Sequence, residues 1–148
     1  MIAIIQSYFE TSADKAWELL KKTDTFLFIT HGFLDFTNKK KWPEEFYNGL
    51  EINTKLIFFN ILPAWKHCLK ITKINELDKE LYSNECGGFI NTWNHLIKIE
   101  PETDCRCKYT DQVEINAGFL TPAVWLYANI FYRYRHYRWK KLINFKAI

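Results

Sequence analysis

From Gly49 onward apolar and polar residues alternate with a period of two, as they do in strands with one face turned to a core. The alternation predicts strands over residues 50–61, 65–74, 79–86, 89–99 and 105–116, with breaks at Pro63, residues 75–78, Gly87-Gly88 and residues 101–104. Connections this short join antiparallel neighbours, because a parallel pair needs a long crossover. After Gly118 the period becomes helical. Thr121 is placed as N-cap, with Pro122 at the first helical position where its missing N–H costs nothing, and the helix is expected to run to about residue 144. Trp125, Ala128, Tyr132, His136, Trp139 and Ile143 form one stripe on a 3.6 period, flanked by Val124, Phe131 and Leu142. Such a stripe faces the sheet.

Upstream, residues 2–10 form a short apolar and aromatic run that reads as a first strand. Thr11 with Asp14 three residues on resembles a capping box opening a helix over residues 13–22. A second short helix is expected over residues 23–30, stopped by His31-Gly32, and a further strand over residues 33–37. The Lys39-Lys40-Lys41 run reads as a solvated turn. The fold class is therefore α+β, a helix-grip fold in which a curved antiparallel β-sheet wraps around a long C-terminal helix, with two short helices after the first strand.

The period of two also says which strand residues share a face. Trp65, His67, Leu69 and Ile71 go inward together, as do Phe89, Asn91, Trp93, His95, Ile97 and Ile99, and then Cys105, Cys107, Tyr109, Asp111, Val113 and Ile115. His67, His95 and Asp111 are ionisable groups on apolar faces and need partners there. They are the candidates for orienting a ligand, or for acid–base work upon it. Trp93, Tyr109, Trp125, Phe131 and Tyr132 are expected as an aromatic wall, with Trp65, Asn91 and His136 as further contacts. Cys105 and Cys107 read as small inward residues, and Arg135 as the partner of an acidic neighbour such as Asp35 or Glu85.

Length and composition fit this picture. With 148 residues the chain suits one domain, nothing in it marks a linker or repeat, and 18% aromatic residues call for a bulky core or the walls of a pocket. A formal net charge of +3 is small for a nucleic-acid binder, and the basic residues of segment 133–141 read as a solvated helix face, with Arg133, Tyr137, Lys140 and Lys141 turned outward. Cys68, Cys86, Cys105 and Cys107 lack the paired spacing of a zinc site. No metal or cofactor is expected. Residues 1–6 lack the basic start and long apolar run of a signal peptide, which gives a cytoplasmic expectation. Segment 117–132 is short for a membrane span, and the basic residues after it limit membrane contact to a peripheral one.

The sequence resembles the START-like (SRPBCC) superfamily of birch pollen allergen, lipid-transfer and polyketide cyclase/dehydrase-like proteins, and within it the small bacterial ligand-binding members. The resemblance is carried by Ala16-Trp17-Glu18-Leu19-Leu20, Gly49-Leu50-Glu51-Ile52, Trp65 with Ile71, Gly88-Phe89, Trp93 with His95, Thr110-Asp111-Gln112-Val113, Gly118 and Phe131-Tyr132-Arg133-Tyr134-Arg135-His136. It spans nearly the whole chain in order. His31-Gly32 and Gly87-Gly88 stand where such relatives tend to have Pro. The resemblance implies an internal cavity between sheet and helix that binds a hydrophobic small molecule, lipid-like or polyketide-like. Its alternatives are a cyclase, dehydratase or hydrolase using the inward His and Asp residues, and a peripheral membrane or protein-interaction role through the basic helix.

Overall fold

A computed structural model of the chain describes residues 1–146. Strand β1 (Ile2–Phe9) is followed by helices α1 (Ala13–Leu20) and α2 (Thr23–Thr30), strand β2 (Leu34–Phe36) and a single 3₁₀ turn at Lys39–Lys41. Five strands come next: β3 (Glu51–Phe58), β4 (Leu62–Asn75), β5 (Glu80–Gly87), β6 (Ile90–Thr103) and β7 (Arg106–Asn116). Helix α3 (Thr121–Lys146) closes the chain. All seven strands form one antiparallel sheet in the order β1-β7-β6-β5-β4-β3-β2. The sheet curls around α3, as the α+β helix-grip expectation requires.

The inner face is apolar because the alternation holds over most of its length. Ala3, Ile5 and Phe9 of β1, Ile97 and Ile99 of β6, and Tyr109, Val113 and Ile115 of β7 are buried on that face. From α3, Val124, Ala128, Phe131, Tyr132, His136, Trp139, Leu142 and Ile143 turn toward it. Trp139 is fully buried between Phe9 and Tyr109, a burial that stabilises the fold by about 2–3 kcal/mol. Among the described residues no helix is long and apolar enough to cross a membrane.

Several expectations are corrected. Ser12, not Thr11, caps α1, its hydroxyl accepting the Lys15 N–H at 3.2 Å. The Thr121 hydroxyl accepts the Ala117 N–H at 2.9 Å and donates to the Gly118 carbonyl at 2.7 Å, so it braces the turn before α3 instead of capping its amides. Pro63 and Pro101 lie inside β4 and β6 rather than between strands. Both sit beyond the reach of β5, which pairs with β4 only from His67 and with β6 only as far as Lys98. A missing N–H is harmless where a strand has one neighbour.

Candidate functional site

Between the sheet, α2 and α3 lies an apolar cavity of about 60 Å³. Its walls are rings and aliphatic chains: Phe26 from α2, Trp42 after the 3₁₀ turn, Leu56 and Phe58 from β3, Trp65 and Leu69 from β4, Trp93 from β6, and Tyr127, Phe131 and Tyr132 from α3. A second chamber of about 30 Å³ lies against it, deeper toward Leu20, Phe46, Ile71 and Ile97. Phe26, Leu69, Glu85 and Arg135 belong to the walls of both. On the usual allowance of about 10–15 Å³ per water, the larger chamber has room for roughly four to six waters.

Two polar clusters stand at this interior. In the first, the His67 ring and the Glu85 carboxylate meet at 2.8 Å through Nε2 and Oε2, and the Ser83 hydroxyl donates to Glu85 Oε1 at 3.3 Å. Both His67 and Glu85 face the larger chamber. Burial pushes the Glu85 carboxyl up, but the hydrogen bond and charge of His67, with His95 and Arg135 behind, outweigh it and hold the group below the usual carboxylate range. In the second, Asp111 is wholly buried and accepts from two imidazoles, His95 Nε2 at 2.6 Å and His136 Nε2 at 2.9 Å. Here too burial acts to raise the carboxyl, and it is overcome first by the Arg135 charge, then by the two histidines, so Asp111 is held far below the carboxylate range.

An ionised carboxylate only accepts, so each imidazole donates to it from Nε2, and in the neutral ring Nδ1 is then the acceptor. Ser7 Oγ donates to His136 Nδ1 at 2.8 Å. The Tyr132 hydroxyl reaches His95 Nδ1 at 3.5 Å and receives the Trp93 indole N–H at 3.1 Å. The string Ser7, His136, Asp111, His95, Tyr132, Trp93 is therefore satisfied from end to end, and at its Trp93 and Tyr132 end it forms part of the cavity wall.

The candidate residues separate into groups. Trp65, His67, Trp93, Phe131 and Tyr132 line the larger chamber, and His95 lines the smaller. Asp111 and His136 lie behind that wall, and Tyr109 is packed in the core between Phe9, His136 and Trp139. Trp125 lies over the edge strand, its indole N–H donating to the Ile2 carbonyl at 2.8 Å, not in the cavity wall. Asn91 is exposed, and its neighbour Ile90 faces the cavity instead. Cys105 is also exposed, because it sits in the tight β6–β7 turn, while Cys107 is buried. His67, His95 and Asp111 therefore do not converge on one ligand atom. Arg135 pairs with neither Asp35 nor Glu85; Asp35 is bound by Lys39 at 2.7 Å.

Beside several apolar wall residues, two charged ones, Glu85 and Arg135, escaped the sequence reading. Leu81, Ser83 and Glu85 alternate inward along β5, so the period of two marks Glu85 as facing the core. Arg135 lies four residues after Phe131 and four before Trp139, inside the apolar stripe; its charge argued against a place that its spacing supports.

No family model and no curated protein matches the sequence. Solved structures do match the fold. A START superfamily protein from Mycobacterium smegmatis superposes with a TM-score of 0.70 at 8% identity, over 97% of each chain. Major latex-like protein 151 from Panax ginseng gives 0.68 at 14% identity over 95% of each. The Zhui aromatase/cyclase from a Streptomyces species gives 0.64 at 11% identity, over 99% of this chain and 93% of that one. The chain thus has the START-like helix-grip fold.

Proposed function

We propose, with the START-like helix-grip fold as premise, that this protein is a single ligand-binding domain that takes up a hydrophobic or aromatic small molecule between its sheet and α3. The observation that carries the reading is the cavity itself: a ring-walled space where the fold places its grip, with few polar groups on its surface. One structural relative is named as an aromatase/cyclase, which favours lipid-like or polyketide-like bodies over sugars or nucleotides. As it stands the cavity is smaller than the ~150 Å³ space known to hold a benzene ring, so uptake requires the walls to move outward. The half-buried residues Phe58, Trp65, Ile90 and Tyr127 are the walls with freedom to do so.

Titration with N-phenyl-1-naphthylamine, an uncharged dye that fluoresces in apolar surroundings, tests the reading. Wild-type protein is expected to give a saturable, blue-shifted signal at one site per chain. Ile90→Trp, which fills the cavity from its half-buried side, is expected to weaken binding at least about tenfold. Absence of saturable binding by folded wild-type protein would remove the proposal. Native mass spectrometry of protein from its own source then identifies a co-purified occupant.

A further inference from the structure

Seven buried side-chain nitrogen or oxygen atoms lack a hydrogen-bond partner among the described residues, and four belong to residues lining the larger chamber: Trp65 Nε1, His67 Nδ1, Tyr127 Oη and Arg135 Nε. Buried polar groups are ordinarily paired, so this concentration calls for a partner outside the chain. Three of the four groups carry a proton to donate, and indole and guanidinium have no acceptor capacity at all. What the cavity lacks is an acceptor.

Arg135 makes the requirement sharper. Its side chain is 3% exposed, and none of its hydrogen bonds or ion pairs closes on a described residue. Its guanidinium lies instead against rings, 5.0 Å from the centre of Tyr132, 5.8 Å from Phe131 and 5.9 Å from Phe26. Ring faces attract a cation but leave its N–H groups without acceptors. The two nearby carboxylates are already engaged, Asp111 by His95 and His136, Glu85 by His67 and Ser83. A buried cation with spare donors, at the junction of two apolar chambers, is matched by a planar anion able to take two N–H bonds at once.

We infer that the ligand is an apolar carboxylic acid, bound as its carboxylate to Arg135, with the Trp65 indole N–H and the Tyr127 hydroxyl as further donors to its oxygens. This inference rests on the cavity reading above and narrows it. Ligands whose only polar group is a donor are disfavoured, because they leave these groups unpaired.

Isothermal titration with naphthalene-2-carboxylate and naphthalene-2-methanol compares one apolar body bearing an anionic or an uncharged head. Wild-type protein is expected to bind the carboxylate at least about tenfold more tightly, and Arg135→Leu to bring the two within about threefold of one another while still binding N-phenyl-1-naphthylamine. Equal affinity of wild-type protein for acid and alcohol, or uptake of the neutral dye with neither naphthalene compound bound, overturns the carboxylate inference and leaves the cavity reading standing. Failure of the dye and both naphthalene compounds to bind overturns both. Should Arg135→Leu not fold, the wild-type comparison decides, and Tyr127→Phe, which deletes one donor, is expected to weaken the acid more than the alcohol.

Discussion

At the scale of single residues the molecule concentrates charge where its fold tolerates it least. Asp111 has no exposed surface and stays ionised because Arg135, His95 and His136 together outweigh the cost of burial. Its folded-state pKa lies below the unfolded value of about 3.9. The resulting stability is therefore present above about pH 4 and is lost as pH falls through the folded value. Glu85, shifted in the same direction, adds to the acid dependence. Replacing Asp111 by Asn leaves one imidazole facing an amide donor instead of an acceptor, and breaking a buried pair of this kind costs about 3–5 kcal/mol. Urea unfolding from pH 7 down to about pH 2.5 is expected to give Asp111→Asn a lower midpoint at neutral pH and a shallower decline below about pH 4 than wild type. Parallel curves would mean that Asp111 titrates alike in both states.

At the scale of elements, the link between strand turns and cavity runs through Gly87-Gly88. A Cβ on Gly88, whose φ is +57°, would stand 2.6 Å from the Trp65 ring, and one on Gly87 would stand 2.3 Å from the Lys66 carbonyl oxygen. Trp65 is thus seated directly on a glycine backbone, edge-on to Phe89 with ring centres 4.9 Å apart. Gly88→Ala is expected to destabilise the protein by about 1–3 kcal/mol and to shift Trp65, read as a lower thermal midpoint and altered tryptophan fluorescence. The same turn explains where the sequence pattern lost its phase. The register shifts between Glu85 and Gly87, so the inward set of β6 begins at Ile90 and Trp93, and Asn91 faces outward. Further shifts at Lys55/Ile57, Ile71/Lys73 and Pro101/Thr103 are invisible to a rule that counts by two. Strand interiors, the α2 bounds and most of the α3 stripe were legible, because burial on one face imposes a period. Arg135 and Glu85 were not placed, because polarity alone does not tell a charge turned to solvent from one turned inward.

At the scale of the whole molecule, the basic segment and the cavity turn out to share one helix. Of the five cations in residues 133–141, Arg135 points into the interior and Arg138 donates to the Phe28 carbonyl from Nη2 at 2.9 Å and Nε at 3.1 Å. That leaves Arg133, Lys140 and Lys141 exposed, a thinner charge than the sequence suggests for a membrane-facing surface. Exposed apolar side chains collect elsewhere: Phe59, Ile61, Leu62, Phe89 and Phe119 lie in or beside the turns at the sheet end where β3 meets β4, β5 meets β6 and β7 runs into α3. The half-buried cavity walls Phe58, Trp65, Ile90 and Tyr127 lie toward that same end, which is where the proposed ligand would enter. Arg138 and Tyr134, whose hydroxyl donates to the His31 carbonyl, tie α3 to the end of α2, while the half-buried walls Phe58, Trp65 and Ile90 belong to the hairpins. Ligand binding to the folded state alone raises stability by mass action, by about 2.7 kcal/mol at a hundredfold excess over Kd. For a chain of this size that corresponds to a rise in Tm of roughly 5–11 °C. A matching rise with naphthalene-2-carboxylate in wild type, reduced in Arg135→Leu, is the expected result. A rise of equal size in both proteins would place the binding energy in the apolar walls and not in the buried cation.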